Sequence, residues 1–314
     1  MWALVGAIAV VAAGATVGAT LLTRTDTGGA STALPVTRKG APELDLDLGI
    51  RTDPEAVALR RAATLYDKGR RKQAGAIFDR YRSLEAGVGS ALAAWPEGFD
   101  RLAVLAREHP KSSLAQLELG LAFFWQNRFG QAEEAWRKAR RLEPDTSYAV
   151  RAEDFLYPRY FSGHPPFSPS FASPPELDKL SPPRQLAFLA DRARGRDAHA
   201  KLLYGAALQK LGRSVSAERE FASAAKLAPD DPDAQVAAAV GLFDKAKPSL
   251  AFSKLGPLVR TFPKAVTVRF HLGLMLLWLG QAQAGKAQLD RVVAAGPSPF
   301  LAPSQLLLAK IPAK

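Results

Sequence analysis

The sequence predicts an all-α chain built as a stack of helix pairs, an α-solenoid of about six to seven pairs. Three observations carry this. Pro229, Pro263 and Pro297 stand 34 residues apart, with the same apolar pattern leading up to each. Pro110 and Pro144 repeat the interval earlier in the chain. Within the clearest unit, residues 198–231, two apolar runs at helical spacing, 202–211 and 215–227, are broken by Leu211-Gly212-Arg213 and stopped before Pro229. A fixed period of this length marks a supersecondary unit that buries its apolar face only by stacking on its neighbours.

The residues inside each unit explain how two helices would pair. Residues 198–231 place Tyr204-Gly205 on the first helix and Ala217, Phe221 and Ala224 on the second, before Pro229. Residues 113–146 carry Leu119-Gly120, Phe123, Ala132, Trp136, Ala139 and Pro144 at the same positions. Residues 266–299 keep Leu272-Gly273, Gly280 and Pro297, with Gly285, Leu289 and Val292 replacing the small and aromatic residues. Residues 232–265 keep Ala239, Ala251 and Pro263. Small residues let paired helices approach, a large apolar side chain fills the gap, and proline cannot continue the helix. This pattern resembles the tetratricopeptide repeat (TPR) family, of the bacterial, membrane-anchored type.

The resemblance implies a non-enzymatic scaffold that binds a protein or peptide partner along a concave groove lined by first helices. Counted from each repeat start, the groove candidates are Leu117, Leu121, Phe124 and Trp125, then Leu202, Ala206, Gln209 and Lys210. Val236, Val240, Phe243 and Asp244 follow, then Phe270, Leu274, Leu277 and Trp278. The competing reading is that several of them pack between repeats. The family's carboxylate-clamp subgroup holds a peptide's C-terminal carboxylate with Lys and Asn, but those positions here are mostly Leu, Ala, Val and Phe, which argues against an adaptor of that kind.

Taken in order, residues 2–22 are an uncharged run long enough to cross a bilayer as a helix, and they read as an uncleaved anchor. Val17-Gly18-Ala19 offers a cleavage site for the competing signal-peptide reading, which lacks its basic n-region. Arg24, Arg38 and Lys39 follow the run and, by the positive-inside rule, argue for cytoplasmic repeats. The Thr/Gly/Ser/Ala-rich stretch after the run reads as a stalk and argues for the outside. The reading adopted is extracytoplasmic, with residues 23–52 as linker. Residues 43–47, Glu-Leu-Asp-Leu-Asp, alternate carboxylate and leucine as an extended segment rather than an EF-hand loop.

Asp53 is an N-cap and Pro54 the first residue of the first helix, expected over 55–68 with its partner over 71–83. Residues 84–110 hold a degenerate pair. After Thr146 the phase slips: a helix over 148–156 and a partner over 184–194 flank an insertion, 158–183, with eight prolines and neighbouring aromatics. Proline at this density forbids regular helix. The aromatics predict that the insertion packs, either into the protein's own groove, which is the reading adopted, or as part of a ligand site. Residues 303–311 form a terminal helix that covers the last apolar face.

Composition excludes much. The 314 residues contain no cysteine, so disulfide, thiolate and Cys–metal chemistry are absent. The four histidines are scattered, and no phosphate loop, zincin motif or nucleophile elbow is present, so no cofactor, metal or catalytic residue is expected. The formal charge of +12 raises the alternative of a basic helical-repeat nucleic-acid binder, but Lys and Arg are interspersed with Asp and Glu along the chain. A small-ligand or enzyme site formed by the insertion is the other alternative.

Overall fold

The computed structural model describes residues 40–311, so the expected membrane run 2–22 lies outside the described residues. Among the described residues no helix is long and apolar enough to cross a membrane. Regular structure in them is all helical. In chain order the helices are α1 Pro54–Asp67, α2 Arg71–Phe78, α3 Leu84–Ala93, α4 Phe99–Glu108, α5 Ser113–Trp125, α6 Phe129–Leu142 and α7 Ser147–Leu156. There follow α8 Pro182–Ala193, α9 Ala198–Lys210, α10 Ser214–Leu227, α11 Pro232–Gly241, α12 Ser249–Thr261, α13 Val266–Trp278, α14 Ala282–Ala294 and α15 Leu301–Leu308. The chain divides into two compact units between Leu156 and Tyr157.

In each unit every helix packs on the next, and the first helices of successive pairs also touch. In the N-terminal unit α1, α3, α5 and α7 form that inner layer, and in the C-terminal unit α9, α11 and α13 do. This is the TPR-like arrangement expected from the 34-residue period. Helix α8 packs on α9 within the C-terminal unit, and α15 packs on α14.

The local chemistry separates most first helices from second ones, α13 having no side-chain cap. Asp53, Ser83, Ser112, Asp197 and Asp231 each cap a first helix by accepting a backbone N–H, whereas α2, α4, α6 and α10 have no side-chain cap. Each such cap contributes about 1 kcal/mol. The turn inside a pair needs left-handed backbone: Gly212 and Gly280 have φ 69° and 73°, and Asn127 takes φ 62° at the equivalent place. Asn is one of the few side chains that tolerates this region.

Pair spacing is set by ring-on-glycine contacts. A Cβ added to Gly120 would lie 2.4 Å from Nε1 of Trp136, and one on Gly205 would lie 2.5 Å from the Phe221 ring. Ala132 and Ala139 flank Trp136, Ala217 and Ala224 flank Phe221, and all are buried. The first helices are consequently enclosed nearly all round. In α5 the buried set includes Ser113, Gln116 and Glu118 beside the apolar residues.

Residues 41–51, which composition assigns to the linker, are packed in the N-terminal unit, where Leu44 and Leu48 join its core. Burial of two leucines is the reason: an extended run with leucine on one face has an apolar edge to hide.

Gly120→Ala and Gly205→Ala should each lose about 1–3 kcal/mol by overpacking. Gly130→Ala in α6, where an added Cβ meets nothing within 4 Å, serves as the control and should be neutral or stabilising. Thermal and urea melts of the three variants decide; equal effects at all three positions would refute the ring-on-glycine account.

Candidate functional site

Each unit lays an extended stretch of its own chain across its first helices. In the C-terminal unit the stretch is the Pro-rich segment. It begins against the C-terminal ends of the first helices. The Phe161 N–H donates to the Trp278 carbonyl at 3.2 Å, and buried Lys245 donates its Nζ to the Phe161 carbonyl at 2.7 Å. The Trp278 indole N–H donates to the Gly163 carbonyl at 3.2 Å, and the His164 ring meets Phe243 edge-on at 5.6 Å.

The segment then crosses towards the N-terminal halves of the same helices. Gln209 of α9 reads its backbone twice, donating to the Pro165 carbonyl at 3.1 Å and accepting from Phe167 N–H at 2.8 Å. The Phe167 ring is 2% exposed, stacked on His271 at 5.2 Å and edge-on to Phe221 at 5.3 Å. The Ser168 N–H donates to Nε2 of His271 at 3.0 Å. Asp233 Oδ2 accepts from both the N–H and the hydroxyl of Ser170, at 2.7 and 2.6 Å. Phe171 stacks on His199 at 4.1 Å, and Leu177 seals the end against Leu189, Leu203 and Ala207.

His271 has a single consistent proton arrangement. Because Nε2 accepts from Ser168, the ring proton sits on Nδ1 and is donated to the Thr267 carbonyl at 2.8 Å. Burial pushes its pKa down to about 4, partly offset by the Thr267 contact and the nearby Asp233 charge, so the ring is neutral near pH 7.

In the N-terminal unit residues 42–48 play the same part with different chemistry. Tyr66 of α1 donates its hydroxyl to the Pro42 carbonyl at 2.6 Å. Glu118 of α5 accepts the Asp45 N–H at 2.7 Å. Tyr148 of α7 both accepts from Asp47 N–H at 3.2 Å and donates to the Asp47 carbonyl at 3.0 Å. Arg151 of α7 holds Glu43 at 3.0 Å and Asp45 at 2.8 Å. Full burial raises the Glu118 pKa well above the usual carboxylate range, with the Asp45 charge adding to it. Burial also raises Asp45, against the lowering effect of Arg151.

Of the groove residues expected from sequence, Gln209, Phe243 and Trp278 touch the Pro-rich segment. Leu117, Leu121, Phe124, Leu202, Phe270 and Leu274 are instead 0–2% exposed within the packed helices. Phe124, for example, packs on Phe129 and Trp136, and Phe270 on Phe300. Trp125 packs on the N-terminal core, and Lys210 ends α9 on its exposed side. Sequence reasoning missed His271, Asp233, His199, Glu118, Tyr148 and Arg151. For Glu118 and His271 the signal was an isolated polar residue on an otherwise apolar first helix, whereas Tyr148 and Arg151 lie on the mixed helix α7.

The arrangement binds backbone and carries no proton relay. Both His271 nitrogens are engaged by main chain, and the Ser170 hydroxyl faces a carboxylate rather than an imidazole. Among the described residues no group of three or more His, Asp or Glu is placed to hold a metal.

The lowered His271 pKa means the unfolded chain takes up its proton first as pH falls, so its share of stability is present above about pH 6.5 and lost towards about pH 4. His271→Phe keeps a ring against Phe167 but orphans the Ser168 N–H; it should cost about 1–3 kcal/mol at pH 7 and flatten the acid decline. The raised Glu118 pKa has the opposite sign: stability is lost as pH rises through and above the ordinary carboxylate range. Glu118→Gln keeps an acceptor for Asp45 N–H, so its Tm advantage over the native chain should grow from pH 4 to pH 8; a constant difference would contradict this.

Comparison with known proteins adds likeness without identity. No protein-family description matches this chain, and no curated protein sequence matches it. Among solved structures it is similar to a chain of the APC/C hetero-tetramer Cut9-Hcn1, at 16% identity and a TM-score of 0.35. That likeness covers 82% of this chain and 49% of the other, so this chain spans about half the length of that relative. It is also similar to the C-terminal part of a TPR repeat-containing protein from Cytophaga hutchinsonii, at 13% identity and a TM-score of 0.29, over 78% of this chain and 98% of the other. The fold assignment itself rests on the helix pairs and their glycine–ring contacts described above.

Proposed function

We propose that this chain is a non-enzymatic protein-interaction scaffold that grips extended segments across its first helices. We further propose that residues 2–22 tether it to a membrane with the repeats on the extracytoplasmic side, in cell-envelope assembly. The observation that carries the scaffold reading is the C-terminal groove. There Gln209, Asp233 and His271, from three successive first helices, bind three backbone N–H groups of one extended segment. Main-chain hydrogen bonds combined with a side-chain pocket are the usual physics of peptide capture. The tether reading is supported by the uncharged run at 2–22, and the outside location by the stalk-like stretch that follows it.

One observation favours nucleic acid as a second reading. Residues 157–311 hold 20 Lys and Arg against 11 Asp and Glu, whereas residues 40–156 hold 18 of each. An excess of positive charge attracts phosphate backbones.

Alkaline phosphatase and GFP fused in turn after Lys314 test the location. Phosphatase activity without fluorescence, in the membrane fraction, is expected; fluorescence alone would reverse the orientation. A photo-crosslinking residue at Lys210, exposed beside Gln209 at the end of α9, tests the scaffold, with Lys254 on α12 as control. Discrete protein adducts from position 210 and none from 254 are expected. Adducts lost on nuclease treatment or at high salt would support the nucleic-acid reading, and no adduct at 210 would overturn the scaffold.

A further inference from the structure

We propose that residues 160–171 are an internal copy of the C-terminal groove's ligand. The groove takes up, from a partner protein, an extended segment with an aromatic residue followed three positions later by Ser or Thr, and it exchanges its own segment for that one. This rests on the scaffold reading above and gives it a ligand class.

The contacts fall into two kinds. Those to the N–H or carbonyl of residues 161, 163, 165, 167, 168 and 170 read backbone alone, and any extended peptide can reproduce them. Side chains of Phe161, His164 and Phe171 also touch the groove, at positions that are not buried, and two further contacts set the pattern: the segment's one buried aromatic ring and a hydroxyl held by a buried carboxylate. The Phe167 ring fills a closed slot between Phe221 and His271, and the Ser170 hydroxyl donates to Asp233. Their spacing along the chain defines the recognised pattern.

Exchange keeps the groove's acceptors paired. His271 and Asp233 are 1% and 2% exposed beneath the segment, and a replacement segment restores the hydrogen bonds that its departure removes. The segment is open at both sides of its anchor, since Phe161 is 58% exposed and Ser170 is exposed too. An incoming peptide can therefore begin to pair at either end before the Phe167 ring leaves its slot. Held in cis, the segment competes at an effective concentration on the order of mM, which weakens apparent binding of any partner in proportion to its occupancy.

The test uses the full chain and a fluorescein-labelled peptide with the sequence of residues 160–172, read by anisotropy. Phe167→Ala and Ser170→Glu each weaken the internal segment, the second by setting a carboxylate against Asp233. Both variants should bind the peptide at least ~10-fold more tightly than the native chain does, because the internal competitor is displaced. A peptide with alanine in place of the phenylalanine or of the serine should bind the variants at least ~10-fold more weakly, about what loss of one buried anchor costs. Melting curves check folding; should Phe167→Ala unfold, Ser170→Glu, at an exposed position, gives the same readout. Folded variants that take up no more peptide than the native chain, or that bind the alanine peptides equally well, overturn the inference. If position 210 still yields protein adducts in that case, the scaffold reading stands with a different ligand; if both measurements fail, both readings fall.

Discussion

A ring on the second helix seated against a glycine on the first governs the rest of this structure. Trp136 on Gly120 and Phe221 on Gly205 leave no room for a Cβ, so each ring seats directly on the backbone of the first helix. That approach lets the first helix of each pair also touch the first helix of the next. Each first helix is then surrounded by its own partner, by its neighbours and by the extended segment. This enclosure is why α5, α9, α11 and α13 are buried on nearly every side, and why the second helices, with a solvent face, are more plainly amphipathic.

Enclosure makes any polar residue on a first helix costly unless something answers it. Glu118, Asp233 and His271 are such residues, and water reaches none of them freely. The extended segments answer them with backbone N–H groups. Proline content matters here in two ways. It keeps the C-terminal segment from coiling into a helix, and it removes N–H groups that would otherwise need partners. Between 165 and 170 the prolines at 165, 166 and 169 have no N–H, and the remaining three, at Phe167, Ser168 and Ser170, donate to Gln209, His271 and Asp233. Segment and groove are thus complementary donor for acceptor.

This is also where sequence reading stops. The period, the glycine–aromatic pairing and the proline stops were legible because each is a local, repeating steric demand. Pro54 at the start of α1, with Asp53 accepting the Ala56 N–H, could be placed to the residue for the same reason. The groove was less legible. Repeat position alone nominated Leu117, Leu121, Leu202 and Leu274, but a leucine on an enclosed helix is claimed by helix packing. The residues that read the segments differ in type from unit to unit: Tyr66, Glu118 and Tyr148 in one, Gln209, Asp233 and His271 in the other. Glu118 and His271 share the sixth place of repeats 113–146 and 266–299, but the residue type changes and their partners lie up to 103 residues away in sequence. A polar residue amid an apolar first helix was the available signal, and it points to a buried partner without naming it.

The two grooves hold their segments by unlike means, and the difference bears on which one can exchange. Residues 42–48 are fixed by leucines in the core and by Arg151, which pairs with both Glu43 and Asp45. Releasing them would break both of these ion pairs and expose the leucines together with the apolar space they fill. Residues 160–171 are held by hydrogen bonds and ring contacts without an ion pair. Another peptide can supply those contacts in full. The titrating groups separate the grooves again. Ionisation of Glu118 sets a buried charge beside Asp45, so the N-terminal groove weakens as pH rises. Protonation of His271 removes the acceptor for Ser168 N–H, so the C-terminal groove weakens as pH falls. The two grooves therefore respond to pH with opposite sign, falling pH favouring the Glu118 side and costing the His271 side.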